Sequence, residues 1–155
     1  MHIMVHGASG RMGQLICAAA GNEVVARISP DYPANENGCW QTLSAYQGPA
    51  DCVIDFSHHS ATGTLLEYCL ARRLPLLIAT TGQTEQERHQ IEAAAAVIPV
   101  FFASNYSLGI AVLTDLARRA AAMFPDADIE IVEMHHNQKL DVPSGTALTL
   151  ANSIA

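Results

Sequence analysis

His2-Ile3-Met4-Val5-His6-Gly7-Ala8-Ser9-Gly10-Arg11-Met12-Gly13 is a short, mostly apolar run followed by three glycines spaced three apart. Residues 2–6 predict a buried parallel strand, because apolar residues here run on instead of alternating. Gln14 to Ala20 is rich in helix formers and stops at Gly21-Asn22. Glycines between a strand and a helix permit the sharp bend, close backbone approach to a pyrophosphate, and close helix–strand packing. The helix start then offers free N–H groups and partial positive charge to phosphates. The spacing is Gly-x-x-Gly-x-x-Gly and not the commoner Gly-x-Gly-x-x-Gly. In a first strand–helix turn it reads as a dinucleotide turn, with a merely structural turn as the other reading. No Gly-Lys-Ser/Thr follows, which excludes a Walker-type phosphate loop.

The same alternation continues outward. Residues 23–28, 51–56, 75–79 and 97–103 read as further strands. Helices are expected at about 60–73, with Ser57 available as a cap, and from Thr84 to about Ala96. In the latter, Glu87 completes a capping-box pattern. Residues 29–49 carry prolines, asparagines and glycines and read as loop, with a helical turn around Gln41–Tyr46. The class is α/β, a doubly wound, Rossmann-like parallel sheet with helices on both faces. After residue 106 the pattern changes. A helix from Leu108 to Met123, a strand at 128–134 and a helix from Gly145 to Ala155 follow. One strand and two helices bury too little for an independent core. The expectation is a dinucleotide-binding domain at 1–106 and, at 107–155, the beginning of an incomplete α+β substrate and oligomerisation domain.

Half of the 155 residues are hydrophobic and 15% are charged, which describes a globular chain and not a disordered one. A net charge of −7 argues against a general nucleic-acid or acidic-membrane binder, so local donors must hold any anionic ligand. Cys17, Cys39, Cys52 and Cys69 include no Cys-x-x-Cys pair and read as ordinary thiols of a cytoplasmic protein. No stretch has signal-peptide or membrane-spanning character.

NAD-selective turns often carry an acidic residue at the end of the second strand. Ser29 stands near that point, and Asp31 lies two residues later. Arg11 and Arg27 are placed to meet a 2′-phosphate, so NADPH, or either NADPH or NADH, is the expectation. Ala79-Thr80-Thr81-Gly82 and Ala103-Ser104-Asn105-Tyr106 end the fourth and fifth strands, the edge where such sheets bind ligands. They read either as walls of a nicotinamide pocket or as ordinary turns.

The chain's one lysine, Lys139, follows His135 and His136 and precedes Pro143-Ser144-Gly145-Thr146. Adjacent histidines of an extended chain point to opposite sides, which disfavours a shared metal, and no metal site is expected. The helix opening at Ser144 is an anion cradle suited to a carboxylate. His135 and Lys139 beside it are placed to supply a proton or stabilise negative charge. A helix cap beside a surface lysine is the plainer reading.

These motifs taken together, Val5 to Gly13, Val53-Ile54-Asp55-Phe56-Ser57, Ala79 to Gly82, Asn105-Tyr106-Ser107-Leu108-Gly109 and Glu133 to Ala147, resemble the dihydrodipicolinate (4-hydroxy-tetrahydrodipicolinate) reductase family. The resemblance covers nearly the whole chain in order. It implies hydride transfer from NADPH or NADH to a cyclic dicarboxylate in the diaminopimelate route to lysine. By the same resemblance, Gly7, Ala8, Ser9, Gly10, Arg11 and Met12 hold the pyrophosphate. Ala79, Thr80, Thr81, Ala103, Ser104, Asn105 and Tyr106 contact the nicotinamide half. His135 is the proton donor and acceptor and Lys139 the proton donor, while His136, Gly145 and Thr146 bind the substrate carboxylates. It also implies a longer chain whose mixed sheet builds a substrate lid and a homotetramer. Departures are Ser29 at the usual acidic position, Ala79 for glycine, and Asn137 and Gln138 for basic or aromatic residues. Two other readings are a dinucleotide-binding fragment without turnover and an interaction module offering a strand edge.

Overall fold

The computed structural model describes residues 1–33, 35, 37–137 and 142–155. Strand and helix alternate through β1 (Ile3–His6), α1 (Arg11–Ala20), β2 (Val24–Ile28), β3 (Cys39–Trp40), β4 (Cys52–Asp55), α2 (Thr62–Arg72), β5 (Leu76–Ile78), α3 (Glu85–Ala95) and β6 (Val100–Phe102). The strands pair in the order β3-β2-β1-β4-β5-β6, all in parallel. The winding reverses between β1 and β4. In an open parallel sheet that reversal opens a crevice at the carboxyl ends of the strands.

Each face of the sheet has its own apolar layer. Met4, Ala26, Ile28, Val53, Leu76 and Ile78 pack with Leu65, Leu66 and Cys69 of α2 and Ile91 of α3. Ile3, Val5 and Val24 pack with Cys17 of α1 on the opposite face. Each fully buried aliphatic side chain here is worth roughly 1.5–3 kcal/mol. The capping box of α3 forms as its sequence pattern predicts. Thr84 Oγ1 accepts from the Glu87 N–H at 3.2 Å, and the Thr84 N–H donates to Glu87 at 2.7 Å.

Two features of this half depart from expectation. The two-residue strand β3 pairs with β2 inside the segment read as loop, with Arg27 opposite Cys39 and Ile28 opposite Trp40. A strand that short leaves no periodic signal. Ser57 does not cap α2. Its hydroxyl donates to Asp55 Oδ1 at 2.6 Å, and a single turn at His59–Ala61 leads into the helix instead.

The chain divides into two compact units, Met1–Phe102 and Ala103–Ala155. In the second, α4 (Leu108–Met123) begins on Ser107, whose Oγ accepts from the Ile110 N–H, and α5 (Gly145–Ile154) begins on Ser144, whose Oγ accepts from Ala147 at 3.1 Å. Ala117, Ala120 and Ala121 of α4 line an apolar cavity of about 300 Å³ with Phe124, Ile129 and Ile154. Residues 128–134 do not form the expected strand. The alternating residues are present, but no described strand lies beside them to complete a ladder. Among the described residues of this unit, only Ser144 is buried. No helix among the described residues is long and apolar enough to cross a membrane.

Candidate functional site

The glycine turn sits on the carboxyl end of β1. Gly7 has φ of 77°, and a Cβ there would stand 2.5 Å from the Phe56 carbonyl oxygen. A Cβ on Gly13 would stand 2.2 Å from the Gly7 oxygen, so α1 approaches the turn too closely for a side chain. The turn is held by the Gly7 N–H donating to Ile28 O at 2.9 Å and the Gly10 N–H to Gly7 O at 3.1 Å. Gly10 caps α1 without a side-chain hydrogen bond, and no acidic residue stands in the first turn. The helix start is therefore open to an anion, as a pyrophosphate requires.

Ser9, Ser29 and Asp31 converge beside this turn. Ser9 Oγ lies 2.7 Å from Ser29 Oγ and donates to Asp31 Oδ2 at 2.6 Å, and Ser29 Oγ reaches the same oxygen at 3.2 Å. The chain thus carries its carboxylate two residues beyond the usual position and draws it back onto the glycine turn. Arg27, the other residue considered for a 2′-phosphate, lies on β2. It sits opposite Val5 in the sheet, with its guanidinium against Cys17 and near the chain at Gly38. Arg11 and Met12 are exposed at the helix start.

Under the crevice lies a buried polar group. Asp55, at the end of β4, receives His6 Nδ1 at 2.8 Å and Ser57 Oγ at 2.6 Å on Oδ1, and Thr80 Oγ1 at 2.7 Å on Oδ2. Burial alone would raise its pKa. The hydrogen bonds from His6, Ser57 and Thr80 outweigh burial and hold the carboxyl below the ordinary aspartate value. Thr80 is buried, while Ala79 and Thr81 flank it on the loop between β5 and α3. The pairing of Asp55 with His6 joins two strands and is not evident from the motif that contains Asp55. The detectable signal was a carboxylate and a histidine, each closing an otherwise apolar strand.

In the unit formed by residues 103–155, the residues assigned to cofactor and to substrate meet. Asn105 Nδ2 donates to Thr146 Oγ1 at 2.8 Å, and Ser104 Oγ lies 3.3 Å from Thr149 Oγ1. A Cβ on Gly145 would stand 3.0 Å from the Ser104 Cβ, so a side chain there would crowd Ser104. Ala103 and Tyr106 flank these contacts, the tyrosine exposed. Glu133 supports the cradle from the other side. Its Oε1 accepts the Ser144 N–H at 2.9 Å, and its Oε2 lies 3.6 Å from His135 Nδ1. Glu133 is thus a missed member of the site, a carboxylate two residues before His135. His136 is exposed. Lys139 lies outside the described residues.

A family model described as dihydrodipicolinate reductase, N-terminus, matches residues 1–106, and one described as its C-terminus matches residues 109–155. A 4-hydroxy-tetrahydrodipicolinate reductase from Campylobacter jejuni is 46% identical over 153 residues, covering 99% of this chain and 61% of the relative. One from Akkermansia muciniphila is 46% identical over 154 residues, again 99% of this chain and 61% of the relative. Among solved structures, the dipicolinate-bound dihydrodipicolinate reductase from Paenisporosarcina sp. TG-14 superposes with a TM-score of 0.78 at 30% identity, covering 100% of this chain and 65% of that one. The chain thus spans about three fifths of the length of the curated relatives it matches.

Proposed function

The chain belongs to the dihydrodipicolinate reductase family, and we propose that its protein reduces 4-hydroxy-tetrahydrodipicolinate to tetrahydrodipicolinate in the diaminopimelate route to lysine. The observation that carries this reading is the bond between Asn105 and Thr146. It joins the segment read as the nicotinamide wall to the segment read as the carboxylate cradle. The dinucleotide supplies the hydride when bound. The balance is one hydride and one proton taken up by the ring and one water released.

The residues divide the work as follows. Gly7, Ala8, Ser9, Gly10, Arg11 and Met12 hold the pyrophosphate on the open start of α1. Ala79, Thr80 and Thr81, with Ala103, Ser104, Asn105 and Tyr106, border the nicotinamide. Gly145 and Thr146 offer N–H and hydroxyl donors to one substrate carboxylate, with His136 as a further donor. His135, held beside Glu133, and Lys139 are the proton-handling pair. NADH is the cofactor favoured in this reading. Asp31 accepts hydrogen bonds from a free ribose diol and repels a 2′-phosphate. The dipicolinate bound by the structural relative is a ring dicarboxylate of the class this cradle would take. The whole protein is expected to assemble as a homotetramer, which light scattering on the full-length form tests.

The direct test of the activity is oxidation of NADH and NADPH by the full-length protein in the presence of freshly generated synthase product. Turnover abolished by His135→Ala and Lys139→Ala supports the reading. Tight cofactor binding without turnover overturns it.

A further inference from the structure

We propose that His6 is a positioning residue for the dinucleotide, acting through the buried carboxylate of Asp55 to lock together the three loops that border the crevice. The inference rests on the dinucleotide reading of that crevice. His6 is the last residue of β1 and directly precedes Gly7, so a fixed His6 side chain anchors the backbone from which the glycine turn departs. Asp55 is the last residue of β4, and β1 and β4 are the neighbours at which the winding reverses. An ionised carboxylate only accepts, so His6 Nδ1 carries the proton in their 2.8 Å bond. The remaining donors to Asp55 come from the other two loops, Ser57 after β4 and Thr80 after β5.

Backbone contacts alone do not fix this arrangement. The Phe56 N–H donates to His6 O and the Ala79 N–H to Asp55 O, each at 2.9 Å, and these continue the ladder only to the strand ends. Beyond them, Asp55 is the group on which donors from all three loops converge. Thr80 in turn presents its carbonyl to Gln83 Nε2 at 2.9 Å, which shapes the rest of the loop before α3. Both His6 and Asp55 are nearly inaccessible, at 8% and 2% exposure, so neither is available as a direct ligand. Their effect on the cofactor must pass through the loops they hold.

The test uses the full-length protein and calorimetric titration with NADH, NADPH and adenosine. His6→Leu removes the donor to Asp55, whereas His6→Asn keeps an N–H at the place of Nδ1. The expected result is a Kd for the preferred dinucleotide raised about tenfold in His6→Leu and restored to within about twofold in His6→Asn. Adenosine carries no phosphate for the glycine turn and engages only the Asp31 side, so its affinity should stay within about twofold throughout. A general loss of folding would weaken both ligands and would not be rescued by asparagine. Should His6→Leu fail to melt cooperatively, Ser57→Ala removes another donor to the same oxygen and carries the same criterion. Unchanged dinucleotide affinity in a folded His6→Leu or Ser57→Ala protein overturns the positioning role alone. Absence of dinucleotide binding by the unaltered protein overturns the cofactor reading and the inference with it.

Discussion

The side-chain amide of Asn105 donates to the hydroxyl of Thr146 at 2.8 Å, while its carbonyl oxygen accepts the Ser107 N–H at 2.7 Å. One residue thus holds both the start of α4 and the start of α5. Thr146→Val keeps the shape of the cradle but leaves the half-buried amide without this acceptor. The cost is about 1 kcal/mol, read as a KM for substrate raised about fivefold. A double-mutant cycle with Asn105→Ala checks the coupling. Strictly additive effects on KM would show that the two residues act apart.

The role proposed for Asp31 in cofactor choice can be read as a ratio. Ser9 and Ser29 both lie within hydrogen-bonding distance of its Oδ2, so the carboxylate is fixed beside the turn. Asp31→Asn keeps the shape and removes the charge. The expected outcome is a kcat/KM for NADH lowered about tenfold and one for NADPH raised, since a charge-assisted bond is lost and a repulsion relieved. The ratio is measured by initial rates with each cofactor. An unchanged ratio would place the selecting group elsewhere, with Arg11 the next residue to alter.

Much of the nucleotide half was legible because its signals are local. The strand-glycine-helix run at 2–20 and the Thr84–Glu87 box each specify their geometry within a few residues. The polar contacts beneath the crevice were not legible, because they join residues far apart in the chain. His6 and Asp55 are 49 positions apart, and Ser9 and Asp31 are 22 apart. Strand β3 was missed for want of length, and the expected strand at 128–134 for want of a described neighbour. Its alternating residues record which side chains would share a face and say nothing of the partner. Glu133 was visible in the sequence, but its bond to the Ser144 N–H depends on a loop closing over eleven positions.

Acid should loosen the nucleotide half through Asp55. Its folded pKa is lowered, so the stabilisation it gives is present above the unfolded value of about 3.9 and is lost as pH falls through the folded value. Glu87 and Asp115 are also lowered, the first by the Thr84 backbone N–H and the second by Arg118, but both carboxylates are only half-buried, so water weakens their pairs. The melting temperature of the unaltered protein should therefore fall between about pH 5 and pH 2 more steeply than that of Asp55→Asn. The two curves should approach each other at the acid end. Parallel curves across that range would assign the acid sensitivity to other carboxylates.

Cysteine reactivity should follow burial. Cys69 of α2 is fully enclosed, and its thiol is pushed up to about 12, first by burial and then by the negative charge of Asp55, against the opposing pull of Arg72. At pH 8 only about one molecule in ten thousand then carries the reactive thiolate, against roughly a quarter for an ordinary thiol. Cys17 is also buried and raised by burial, whereas Cys39 is half-buried. Brief alkylation of the native protein with iodoacetamide, followed by peptide mass spectrometry, should label Cys39 and leave Cys69 unmodified. Addition of denaturant should bring Cys69 to the same extent of labelling. Equal labelling of Cys39 and Cys69 under native conditions would mean that α2 leaves the sheet on the timescale of the reaction, and with it the layer that supports the end of β4.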